Sequence, residues 1–229
     1  MHVVLSVGGS MVYPEKGPDL DFLKSLGTVI KKSRHSFGIL TGGGTVARKY
    51  AKAARNLGAS EYDADSIAIT STKQNAQLVI AALKNAKLDV YDKVIDSFEE
   101  AKVPAHQFKA VVMGGTIPGI TTDTDSVLLA EAVGAKRLVN ISNVDGVYDS
   151  NPKTNKKAKK YSQMSYSKLI SLASHNDKRT AGTNFVFDML ACKLIARSKI
   201  ETHFVSGKNL KDLENAIEGK KHSGTIVLI

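Results

Sequence analysis

Along the chain, short apolar runs alternate with longer stretches whose apolar positions recur every three or four residues. The runs His2–Val7, Ser36–Thr41, Lys109–Met113, Arg137–Ile141, Glu201–Val205 and Thr225–Ile229 are rich in Val, Ile and Leu. They show little alternation of apolar with polar positions, as strands covered on both faces do. The stretches Asp21–Lys31, Thr45–Leu57, Asp65–Asn85, Asp123–Val133, Tyr166–Ala173, Asp188–Ser198 and Leu210–Glu218 have helical spacing. Strands alternating with helices predict right-handed βαβ units and an α/β fold with a mainly parallel sheet. Ligands of such sheets bind beyond the carboxyl ends of the strands. No internal repeat is present. Asp149–Gln163 is polar and basic and contains Asn151-Pro152, which reads as a mobile loop or as the seam between two lobes.

Three of the apolar runs lead directly into glycines: Gly8-Gly9-Ser10, Gly42-Gly43-Gly44 and Gly114-Gly115-Thr116. Glycine admits positive φ and close backbone approach, so successive N–H groups can converge on an anion. The second cluster opens the helical stretch TVARKYAKAARNL, where the helix dipole adds to anion binding. A single glycine pair after a strand is most often a tight turn; three in one α/β chain favour phosphate binding. The patterns GxxxxGK[ST] and, after the first strand, GxGxxG are absent, which disfavours a P-loop enzyme and a dehydrogenase-type Rossmann domain. In GGTIPGITTDTDSVLLAEAVGA, Asp123 stands where a helix should begin, so it is expected to cap that helix. Thr121 and Thr122 offer hydroxyls to a phosphate in the same place. NISNVDGVYDSNP is a turn carrying the flat face and hydroxyl of Tyr148, suited to a base and ribose.

Composition narrows the classes. With 229 residues, of which 42% are hydrophobic, the chain can build one large α/β domain or two lobes on one sheet. The one cysteine, Cys192, has no partner for a disulfide and lies at helical spacing on an apolar face, more as core than as nucleophile. The apolar start, MHVVLSVGGS, lacks a basic flank and a cleavage site, so a core strand is expected there instead of a signal peptide. No apolar run approaches the roughly 20 residues of a membrane span, and a cytoplasmic location is expected. The net charge of +10 owes much to Lys153, Lys156, Lys157, Lys159 and Lys160. Such a run reads as a solvated loop, and without interleaved aromatics it is a weak nucleic-acid signal.

Five segments taken in order resemble the amino-acid-kinase superfamily, and within it the archaeal uridylate (UMP) kinases most closely. They are GGS at Gly8–Ser10, GGGTVARKY at Gly42–Tyr50, MGGTIPGITTD at Met113–Asp123, SNVDGVYDSNP at Ser142–Pro152 and AGTNFVFDMLACKLIARS at Ala181–Ser198. The resemblance implies the amino-acid-kinase fold, a three-layer αβα sandwich with a mainly parallel central sheet. It implies one domain over residues 1–229, with an acceptor (UMP) lobe over about 1–135 and an ATP lobe over about 136–229. The activity it implies is transfer of the γ-phosphate of ATP to UMP, assisted by Mg²⁺, in a homohexamer arranged as a trimer of dimers.

Carried onto matching positions, the resemblance places Gly9, Ser10, Gly44, Arg48, Ser142, Asn143, Tyr148 and Asn151 around ATP. Around UMP it places Gly43, Asp65 and the loop Thr116, Ile117, Pro118, Gly119, Ile120, Thr121 and Thr122. Asp123, Asp188 and Lys193 are the candidates for groups near the transferring phosphoryl, and no dedicated protein site for a metal is expected. The chain departs from the pattern at three places: Ser6 where many members have lysine, Thr45 where close relatives have lysine, and Asn151 where an acid is usual. The histidines lie outside the glycine loops, so direct transfer without a phosphoenzyme is expected. Rival readings are isopentenyl phosphate kinase, a non-catalytic nucleotide-binding regulator and an RNA-binding protein.

Overall fold

A computed structural model of the chain describes residues 1–152, 154–176 and 187–228. Lys153, Ile229 and the Ala181–Val186 part of the last motif fall outside the described residues. The described elements run β1 (His2–Val7), α1 (Gly9–Val12), α2 (Leu20–Lys32), β2 (Ser36–Thr41), α3 (Gly44–Asn56) and α4 (Glu61–Asn85). Then follow β3 (Val90–Ile95), α5 (Phe98–Gln107), β4 (Ala110–Met113), α6 (Thr122–Ala132), β5 (Arg137–Ser142), β6 (Gln163–Met164) and α7 (Tyr166–Asn176). The series ends with α8 (Met189–Ser198), β7 (Glu201–Ser206), α9 (Leu210–Ile217) and β8 (Thr225–Val227).

These strands form one sheet in the order β3-β4-β2-β1-β5-β7-β8-β6. Every pairing is parallel except β7 with β8. The period of two along β1 divides the core. Val3, Leu5 and Val7 face a cluster built with α2, α4 and α9, whereas Val4 joins a cluster built with α5, α6, α7 and α8. Helices thus cover both faces, the three-layer arrangement expected. The central strands are shielded twice, which is why their runs lack alternation. Cys192 is fully buried among the second cluster, and burial pushes its thiol above the usual range, so it is core.

Four elements were not expected: α1 and β6, of four and two residues, are too short to show a period, and β3 and α5 hide theirs. β3 is the edge strand, so Asp92 and Lys93 in its middle can be exposed and interrupt the apolar run. α5 contains Pro104, which normally argues against a helix interior. It is held at its start by Ser97, whose side chain accepts from the Glu100 N–H. α4 begins four residues before the expected Asp65, because Ser60 and Asp63 close a capping box ahead of it.

Candidate active site

The glycine loops meet at the carboxyl ends of β1, β2, β4 and β5. Backbone bonds stitch the end of β1 to both neighbours: Gly8 N donates to Ile141 O (2.8 Å) and Gly42 N donates to Val7 O (2.9 Å). A Cβ on Gly9 would stand 2.0 Å from Gly44 N. Gly44 itself has φ +64°, and its own Cβ would stand 2.5 Å from Gly9 O. These two glycines are therefore required by each other. The sequence suggested room for a ligand; the closest approach in the structure is backbone to backbone, and it welds the loop after β1 to the loop after β2. Ser10 lies in α1 beside this contact, half-buried, and Gly43 packs on Ala47.

The loop from Gly114 to Thr121 is set by polar side chains of flanking helices. The Thr72 hydroxyl of α4 accepts from Gly115 N (2.6 Å) and donates to Ile69 O (2.6 Å). Asn75, one turn on, donates to Gly42 O (2.7 Å), and Asp65, two turns back, accepts from Gly119 N (3.0 Å). Gly119 has φ +88°, a conformation that disfavours any side chain. One face of α4 thus holds both the second and the third glycine loop. From α6, the Asp125 carboxylate accepts from the Thr116 hydroxyl (2.6 Å) and from Thr116 N (3.2 Å). Within this loop Ile117 is exposed and Pro118 and Ile120 are half-buried.

Thr121, and not Asp123, caps α6. It has extended dihedrals, and its hydroxyl oxygen accepts from Asp123 N and Thr124 N. The expected cap is corrected by two residues, and the physical consequence is that the Asp123 carboxylate is released for other work. Burial and then the charge of Asp188 push Asp123 up to about 7, with the Ser6 hydroxyl acting in the opposite sense. Asp188 caps α8 by accepting from Ala191 N (3.0 Å), and it also accepts from the hydroxyls of Thr121 (2.5 Å) and Thr124 (3.0 Å). Two carboxylates from different helices therefore stand against each other over the end of β1. Among the described residues, no ion pair joins a Lys or Arg to Asp123, Asp125 or Asp188.

Beyond β5 the turn is held by half-buried polar contacts and by one buried bond, Val147 N donating to Thr225 Oγ1 (2.8 Å). Ser142 brackets Val144, donating to its O and accepting from its N (both 3.1 Å). The Tyr148 hydroxyl donates to Asp145 (2.7 Å), which also pairs with Lys160 (2.7 Å). That bond to Asp145 raises the Tyr148 phenol to about 12. Asn143 is exposed, and the Asn151 carbonyl accepts from the N–H groups of Thr154 and Asn155. Arg48 and Lys193 are exposed on α3 and α8; Arg48 donates to Thr45 (3.3 Å). The residues that sequence reasoning missed are Thr72, Asn75, Thr124, Asp125 and Lys160. A signal existed for the first two, polar residues three apart on the apolar face of a long helix.

The profile of the amino acid kinase family matches residues 1–206. The chain belongs to the amino acid kinase family. Among its members, the uridylate kinase of Thermococcus kodakarensis is 42% identical over 99% of both chains. That of Archaeoglobus fulgidus is 40% identical over 99% of this chain and 100% of its own. The crystal structure of the Archaeoglobus fulgidus uridylate kinase superposes with a TM-score of 0.85, covering 99% of this chain and 100% of that one. A Bacillus anthracis UMP kinase structure, 21% identical with a TM-score of 0.83 over 99% of this chain and 95% of its own, shares the fold. Among the described residues no helix of this amino acid kinase is long and apolar enough to cross a membrane.

Proposed function

We infer that the chain is a uridylate kinase, transferring the γ-phosphoryl group of ATP to UMP to give ADP and UDP. The observation that carries this reading is the meeting of loops from both halves of the sheet beside one pair of facing carboxylates. It is joined to identities near 40% with uridylate kinases over the whole chain. Phosphoryl transfer needs two anionic groups held in line and their charge compensated, with little covalent help from the protein.

In this reading UMP lies on the loop 116–122, with Asp65 near its ribose and Gly43 beneath it. ATP lies on Gly9, Ser10, Gly44 and Arg48, its base and ribose against Ser142, Asn143, Tyr148 and Asn151. A phosphate oxygen of UMP attacks the γ-phosphorus while the bond to the β,γ-bridging oxygen breaks, and ADP leaves with that electron pair. The α3 N-terminus, opened by Gly43 and Gly44, faces the growing negative charge. Thr121 and Thr124 orient Asp188, and Ser6 favours the ionised form of Asp123. Lys193, exposed on α8, is the remaining candidate for a group near the transfer.

The site suits Mg²⁺: its side-chain oxygens are those of carboxylates and hydroxyls, and among the described residues neither acid is ion-paired with a Lys or Arg. Such a hard cation is commonly held by one or two carboxylates together with substrate phosphates. Asp123 and Asp188 would hold it, and it would neutralise phosphate charge during transfer. The lobes about 1–135 and 136–229, the hexamer built from dimers and a cytoplasmic location complete this proposal.

The test is a coupled assay of the purified protein with Mg-ATP and UMP, CMP, dTMP, AMP, GMP or isopentenyl phosphate. UDP formation that is strongest with UMP is the expected result. Tight UMP binding with no UDP under any divalent cation would overturn the assignment.

A further inference from the structure

Asp125 is a buried acid that the transfer step does not use. It is 1% exposed, and no Lys or Arg pairs with it among the described residues. It follows Asp123 by two residues, about 200° around α6, so it presents to a different side of the helix. Both its oxygens are spent on one residue: Oδ1 accepts from the Thr116 hydroxyl (2.6 Å) and Oδ2 from Thr116 N (3.2 Å). An isolated buried carboxylate is costly unless its bonds are strong, and bonds to an ionised acceptor are the strong ones. The two Thr116 groups supply those bonds from one residue, so the buried carboxylate is satisfied locally.

The bonds clamp a long excursion. The chain leaves β4 at Met113, runs through Gly114–Thr121 and returns as α6, and Asp125 ties the fourth residue of that helix to the third residue of the loop. Thr72 of α4 fixes the neighbouring Gly115 N, and Asp65 fixes Gly119 N further on. Among the described residues Asp125 is the one hydrogen-bonding partner of Thr116, which lies between two anchored glycines.

We propose that Asp125 is a positioning residue for the phosphate acceptor: it sets the Thr116 segment in the conformation that receives the nucleoside monophosphate, without touching the donor. The proposal rests on the reading of loop 116–122 as the acceptor site. Asp125→Ala removes both bonds, whereas Asp125→Asn can keep both, its oxygen accepting from Thr116 N and its amide donating to the Thr116 hydroxyl oxygen.

The experiment compares the two variants and Thr116→Val with the wild-type chain, by steady-state kinetics and by amide hydrogen exchange of the ligand-free protein. Asp125→Ala is expected to raise KM for UMP about tenfold, the effect of losing buried hydrogen bonds, while KM for ATP changes less than about twofold. Exchange should accelerate in peptides covering 114–121 and not in those covering β1 or β5. Asp125→Asn should restore both readouts, and Thr116→Val, which loses only the hydroxyl bond, should show a smaller rise in the same KM. Equal rises in both KM values, unchanged exchange of the loop, or failure of Asp125→Asn to restore either readout would overturn the proposal. If Asp125→Ala does not fold, Asp125→Asn and Thr116→Val decide it by the same measures. Absence of turnover in the wild type would sink the kinase reading alone, since the exchange result still judges Asp125.

Discussion

The loop after β4 and the turn after β5 lie on opposite sides of β1 and are held in opposite ways. The first is fixed from beneath by Thr72, Asp65 and Asp125, two of them buried side chains on long, well-packed helices. The second has one buried bond, from Val147 N to Thr225 Oγ1, and otherwise rests on Asp145, Lys160 and Tyr148, an ionic arrangement in which the Asp145 and Lys160 side chains are 49% and 27% exposed. Buried bonds of the first kind are strong and hard to replace, while exposed ion pairs contribute about 0–1 kcal/mol and weaken with salt. The acceptor side is thus built in advance, and the donor side keeps freedom to adjust around its nucleotide.

The change that would erase the contrast is Gly9→Ala. Its Cβ would fall 2.0 Å from Gly44 N, forcing both loops apart at a cost of roughly 3 kcal/mol or more. Thermal denaturation should show a fall in Tm of about 6–12 °C, with UDP formation lost.

Next in size is Asp123→Asn, expected to lower kcat by about 100-fold or more, the scale of losing one charge-organising group. Its stability should move the other way. A carboxyl held at about 7 in the fold, against 3.8 ordinarily, adds stability that is fully present below pH 3.8 and lost as pH rises to about 7. The variant does not titrate, so its Tm should exceed that of wild type at pH 8 and the gap should close as the pH falls towards 4. A gap that stays constant across this range would remove Asp123 from the buried pair.

Thr72→Val tests the acceptor side alone. Leaving Gly115 N without its partner should raise KM for UMP about tenfold, with KM for ATP nearly unchanged. The smallest effect is expected on the other side. Lys160→Met should raise KM for ATP no more than about fivefold, and the difference from wild type should shrink at high salt. If Lys160→Met matched Thr72→Val in size, the two sides would be equally rigid and the contrast wrong.

The sheet was legible because its central strands are covered on both faces, so their apolar runs stand out. β3 and α5 were not, because an edge strand tolerates Asp92 and Lys93, and Pro104 reads locally as a helix breaker. The glycine clusters announced the loops, yet their physical role was half hidden: Gly9 and Gly44 exist for each other, a contact between residues far apart in sequence. The acid in the first turn of α6 reads as a cap because Asp and Thr are both good caps, and only the dihedrals at Thr121 separate them. Thr72, Asn75 and Asp125 act through tertiary hydrogen bonds across 9 to 43 residues, which no local pattern encodes. Lys193 and Arg48 fit a motif, but their exposed side chains gain meaning only with a bound nucleotide.

The position of β1 at the middle of the parallel set has a metric consequence. β2 and β5 flank it on either side, and neighbouring strands lie about 4.8 Å apart. The ends of β2 and β5 are therefore about 10 Å apart, a distance set by two rows of peptide hydrogen bonds. Side chains can drift, and with them the preference for one base or another. The gauge between the two phosphate cradles cannot drift, because it is written in the spacing of the main chain.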